Sequence, residues 1–127
     1  MTTSRRALKD QLASIDGVTV SESMFGHGDA YWVNGKEVAH FEAEAVIEVR
    51  LTKAVISARR AALKDDARVE LRRSGADWIT VRFRSDDDAA FVVELLTIAA
   101  DAHKPPPGTP AKPPPAGPDL ERRRRFH

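Results

Sequence analysis

The chain has 127 residues, 42% hydrophobic and 31% charged, which suits one domain with a core of its own. It contains no cysteine, which excludes a disulfide framework, a thiolate metal site and a thiol nucleophile. The net charge of +1 conceals an asymmetry: residues 1–103 hold 14 Lys or Arg against 17 Asp or Glu, whereas residues 104–127 hold 6 against 2 together with all eight prolines.

The expected organisation is a body over 1–103 followed by a proline-rich linker, 104–127, that ends in an arginine cluster. Lys9 and Asp10 interrupt the apolar stretch a signal peptide would need, and no run of about 18 apolar residues occurs. A soluble, cytoplasmic protein without a membrane span is expected.

From Ser4 to about Ile15, the residues Ala7, Leu8, Leu12 and Ile15 recur at helical spacing, with Ser4 as N-cap and Gly17 as stop. Val18 to Val20 is β-prone and reads as an extra strand or an extended lead-in. The stretch Met24 to Leu51 reads as three short strands. Asn34-Gly35, between Tyr31-Trp32-Val33 and Glu37-Val38-Ala39-His40-Phe41, is the sequence of a type I′ hairpin turn, in which both central residues take positive φ. Ala45, Ile47, Val49 and Leu51 then alternate with Val46, Glu48 and Arg50, the pattern of a strand buried on one side.

Thr52 caps a helix expected to run to about Lys64 and to cross the sheet. Ala67-Val69-Leu71 and Ile79-Val81-Phe83 alternate with polar residues on either side of the Ser74-Gly75-Ala76-Asp77 turn, which predicts a second hairpin. Ser85 followed by Asp86, Asp87 and Asp88 is a strong helix start. The stripe Phe91, Val92, Leu95, Leu96, Ile98, Ala99 and Ala102 makes that last helix a main part of the core.

The fold class is therefore α+β. It comprises a mostly antiparallel sheet of about five or six strands, an N-terminal helix, a crossing helix, and a long C-terminal helix on the apolar face. In residues 104–118 proline removes amide donors and fixes φ near polyproline II values, so an extended, solvated, disordered tail is expected to hold its arginines clear of the body.

Phe25-Gly26, Tyr31, Gly35, Glu37-Val38-Ala39-His40, the alternating strand and helix after them, Trp78-Ile79-Thr80-Val81-Arg82 and Ser85-Asp86 together resemble a bacterial luciferase-domain family of unknown function. The resemblance spans roughly residues 15–103 and implies the α+β fold; its label does not by itself imply light emission. In that family a second histidine usually stands two residues after the first, where this chain has Glu42. Met24-Phe25-Gly26 and Asn34-Gly35-Lys36 also look like the start of the competence-regulator N-terminal and MmcQ-like DNA-binding-like domains, over about 30 residues.

Several side chains are candidates for chemistry. His40 and Glu42 share a strand face, and His27 would join them if Gly26 to Asp29 pairs alongside, giving an acid-base or metal set that matches no specific metal motif. Gly26-x-Gly28 lacks the rest of a phosphate loop and reads as turn chemistry, and no hydrolase elbow is present. Arg50, Arg68, Arg72, Arg82 and Arg84, with Trp78 and Thr80, would form an Arg-rich sheet face opposed by Glu48 and Glu70. That face is suited either to nucleic acid or to cross-strand ion pairing. Arg122, Arg123, Arg124 and Arg125 would attract an anionic partner, nucleic acid or acidic protein.

No catalytic signature stands above ordinary structural explanations and no cofactor is implied. A non-enzymatic binding or accessory module is the leading reading. The alternatives are an enzyme or metal site using His40, Glu42 and His27, and a nucleic-acid-associated regulator using the arginines.

Overall fold

The computed structural model describes residues 5–26, 28–72 and 76–125. The elements in order are α1 (Arg5–Ala13), β1 (Thr19–Glu22), β2 (Asp29–Val33), β3 (Lys36–Ala43), β4 (Val46–Arg50), α2 (Lys53–Ala58), α3 (Arg60–Asp65), β5 (Val69–Leu71), β6 (Trp78–Arg82), α4 (Asp86–His103) and α5 (Gly117–Arg125). The six strands form one sheet in the order β1-β2-β3-β4-β6-β5, every pairing antiparallel. The α+β expectation holds. No helix among the described residues is long and apolar enough to cross a membrane.

Alternation decides which face each strand buries. Tyr31, Val33, Phe41, Ile47, Val49, Ile79 and Val81 join Leu8 and Leu12 of α1 and Val92, Leu95, Leu96 and Ala99 of α4 in one core cluster. Ser85 caps α4 reciprocally: its hydroxyl accepts from the Asp88 amide while the Asp88 carboxylate accepts from the Ser85 amide. Ala102, expected in the apolar stripe, is exposed, and the crossing helix is broken at Arg59 into α2 and α3.

The β2–β3 turn follows the sequence: Asn34 has φ 50° and Gly35 φ 77°, as a type I′ turn requires. Gly35 has a second reason to be glycine, because a Cβ there would stand 3.1 Å from the Cβ of Lys112. That contact comes from the proline-rich segment. Residues 104–116 form no regular element, as their prolines require, but the C-terminal segment lies against the body. The Lys112 amide donates to Asn34 Oδ1, Arg123 donates to the Gly35 carbonyl, and Arg124 donates to the Ser23 carbonyl. Leu120, on α5, is buried. Helix α5 begins with Gly117 and Pro118, and proline is tolerated there because first-turn amides have no helical acceptor.

A candidate His40-centred site

The second face of the sheet is where the unusual side chains gather, and an irregularity in β3 puts them there. Tyr31 pairs with Ala39 but Trp32 pairs with Glu37, so Val38 is an extra residue in the ladder. Val38 and Ala39 both enter the core, and Glu37 and His40, three apart, consequently share the opposite face. In an unbroken strand they would point opposite ways.

On that face His40 is 3% exposed and sits between carboxylates. Its Nδ1 lies 2.8 Å from Glu37 Oε2, and its Nε2 lies 2.8 Å from Glu48 Oε1 and 4.0 Å from Glu42 Oε2. Glu37 is fully buried and is itself held: Oε2 accepts from the Ser23 hydroxyl at 2.8 Å and Oε1 from the Met24 amide at 2.7 Å. The Ser23 hydroxyl also accepts from the Phe25 amide. This loop sets the Phe25 ring 5.4 Å from His40 and 5.8 Å from Trp78, while Trp78 stands 5.1 Å from His40. One imidazole is thus enclosed by two aromatic rings and three carboxylates.

Cations balance the acids from outside. Arg72 pairs with Glu48, and Arg82 with Glu70 at 3.6 Å. Arg50 lies with Cζ 4.8 Å from the Trp78 ring centroid. Burial lowers the pKa of its guanidinium, and the charges of Asp77 and Glu37 act the other way. Its Nε is buried with no hydrogen-bond partner among the described residues.

The structure brings His40, Glu42, Arg50, Arg72 and Trp78 around one centre. His27 lies outside the described residues. Arg84 is exposed beyond the end of β6, and Arg68 leaves the expected face altogether: its guanidinium lies 3.9 Å from the Phe91 ring centroid and binds Asp66 and Asp88. In α5, Arg122 and Arg123 pair with Asp119, Arg124 pairs with Glu22 and Glu121, and Arg125 is exposed. Sequence reasoning missed Glu37 and Ser23 as members of the cluster, and gave Glu48 only the role of counter-charge to arginines. The bulge that turns Glu37 toward His40 has no marker of its own in the residues.

A shallow hollow of about 600 Å³ borders this cluster, lined by Glu22, Met24, Phe25, Gly26 and Arg124. Phe25 is shared between the hollow and the aromatic enclosure of His40.

A family model described as Luciferase domain matches residues 35–99, which is 65 of the 127 residues and contains Glu37, His40, Glu42, Glu48 and Trp78. Searches among curated proteins and among solved structures return no match.

Proposed function

The chain belongs to the luciferase-domain family, and from that premise we propose that it acts as a non-enzymatic binding or accessory module. The supporting observation is the enclosure of His40. A general acid or base must come within hydrogen-bond reach of the group it serves, yet this imidazole is 3% exposed with both nitrogens at 2.8 Å from carboxylates. The hollow beside it is lined by Phe25 and the ion pair of Glu22 with Arg124 rather than by His40. A ligand seated there would meet an aromatic ring and two opposite charges, a surface for binding rather than proton transfer.

The nucleic-acid reading draws less support, because Arg72 and Arg82 are engaged with Glu48 and Glu70. The test is a thermal-stability screen of the full chain against metabolites and ions, with hits followed by amide chemical shifts. A ligand at 100 times its Kd adds about 2.7 kcal/mol of stability. The expected result is a ligand that shifts Met24 and Phe25 and is recovered chemically unchanged. Conversion of a hit at a rate abolished by His40→Asn would overturn the reading.

A further inference from the structure

Resting on the binding-module reading, and naming one ligand for its central face, we propose that His40, Glu42 and Glu48 form a binding site for a first-row divalent cation such as Mn²⁺ or Zn²⁺. The donor atoms are His40 Nε2 and one carboxylate oxygen each from Glu42 and Glu48, all within 4.8 Å of one another. Donors around such an ion lie about 2.0–2.2 Å from it, so adjacent donors stand roughly 3–4 Å apart. Small side-chain adjustments bring this set to that spacing.

The Nε2 side of the imidazole faces carboxylate oxygens with which it can share a cation. A neutral ring carries one N–H, and the Nδ1 side faces Glu37 Oε2 at 2.8 Å, an acceptor already fixed by Ser23. With the proton there, Nε2 presents a lone pair to Glu48 Oε1 at 2.8 Å, lone pair against lone pair. A proton on both nitrogens would bridge Glu37 and Glu48, whereas a neutral ring leaves the Nε2 lone pair for a cation. Two carboxylates converge on this nitrogen, however, since Glu42 Oε2 lies at 4.0 Å, and a single N–H serves one acceptor well. A divalent ion serves all three donors at once.

The surroundings agree. A histidine ligand typically donates its other ring N–H to a carboxylate, which fixes the tautomer and the ring plane. Glu37 is so placed and is fully buried. Arg72 faces the other oxygen of Glu48, Oε2, and leaves Oε1 for the ion. Glu42, with its side chain 47% exposed, supplies the entry path, and one imidazole with carboxylates is a donor set for Mn²⁺, Fe²⁺ or Zn²⁺.

The experiment is titration of the chelator-treated full chain with Mn²⁺, read by loss of the free-ion paramagnetic resonance signal, with Zn²⁺ as competitor. Wild type is expected to bind one ion per chain in competition with Zn²⁺, with quenching of Trp78 emission absent in Trp78→Phe. Glu42→Gln, at an exposed position, is expected to keep the metal-free melting temperature and weaken binding at least about tenfold, with Glu37→Gln weakening it by about 10–100-fold if folded. No stoichiometric binding, or affinity unchanged in Glu42→Gln, overturns the site. If the site fails while another ligand shifts Met24 and Phe25, the binding-module reading stands alone. If the ion binds and a His40-dependent conversion is found, the site stands and the non-enzymatic reading falls.

Discussion

The imidazole of His40 and the carboxylate of Glu48 meet at 2.8 Å across β3 and β4, where the two residues are direct partners in the ladder. Cross-strand pairing thereby holds one side of a ring whose other side is held by Glu37. Removing the ring takes one partner from each of two largely buried carboxylates. His40→Ala is expected to destabilise the domain by about 1–3 kcal/mol for each of Glu37 and Glu48, the usual cost of depriving a buried acceptor of its hydrogen-bond partner. Glu48→Gln, which keeps the shape, should cost about 1–3 kcal/mol. Urea unfolding of both variants checks this, and a His40→Ala loss below that of Glu48→Gln would show that the ring is not structural.

Ser23 links the loop to the sheet, since its hydroxyl donates to Glu37 and accepts from the Phe25 amide. Ser23→Ala is expected to cost about 1–3 kcal/mol, because it leaves a buried carboxylate oxygen short of a donor. Amide exchange should accelerate at residues 23–26 while the Ile79 and Val81 amides in β6, which is paired on both sides, keep their protection. Uniform acceleration would mean that the loop and sheet open together.

The cap of α4 makes stability depend on pH. Hydrogen bonds from the Arg84 and Ser85 amides hold the Asp88 carboxyl below its ordinary pKa of 3.8. The unfolded chain therefore takes up the proton first as pH falls. The contribution is complete above pH 3.8 and is lost as pH drops through the lower folded value. Asp88→Ala should cost about 0.5–2 kcal/mol at pH 7, and the gap between variant and wild type should narrow below pH 3.8. A gap that is constant from pH 7 to pH 2.5 would assign the effect to helix propensity instead.

Docking of the C-terminal segment can be read from two changes. Burial of Leu120 is worth about 1.5–3 kcal/mol, and for a domain of this size each kcal/mol moves Tm by roughly 3–5 °C. Truncation after His103 is thus expected to lower Tm by roughly 5–15 °C while the domain stays folded. An unchanged Tm would show that the segment is a solvated tether in solution.

Gly35→Ala carries two penalties, the positive φ and the 3.1 Å approach to Lys112. The first persists in the truncated chain and the second does not. The substitution should therefore cost more in the full chain than in the truncated one, by about 1 kcal/mol or more on the scale of overpacking. Equal costs in the two backgrounds would mean that residue 112 does not rest on the turn.

Much of this architecture was legible in the residues because it depends on neighbours. Asn34-Gly35 specifies its turn through the φ values those two residues tolerate. Ile47-Val49 and Ile79-Val81 specify the buried face through the two-residue period of a strand, and Ser85 specifies the start of α4 through a hydroxyl three residues from the amide it caps. Each signal acts within a few residues and survives whatever packs later.

What tertiary structure decided lies beyond that range. Glu37 and His40 share a face only because Val38 is squeezed out of the β2 ladder, and that extra residue reflects how two strands fit one core rather than any preference of Val38. Arg68 lies in the turn before β5 rather than in the strand, and there Asp66, with Asp88 and Phe91 of α4, offers its guanidinium two charges and a ring. The arginines of α5 reach Ser23 and Gly35 across 101 and 88 residues of chain. Composition measures the cost of ordering a proline-rich segment, but only the folded body supplies the carbonyls, the glycine without a side chain and the apolar seat for Leu120 that offset it.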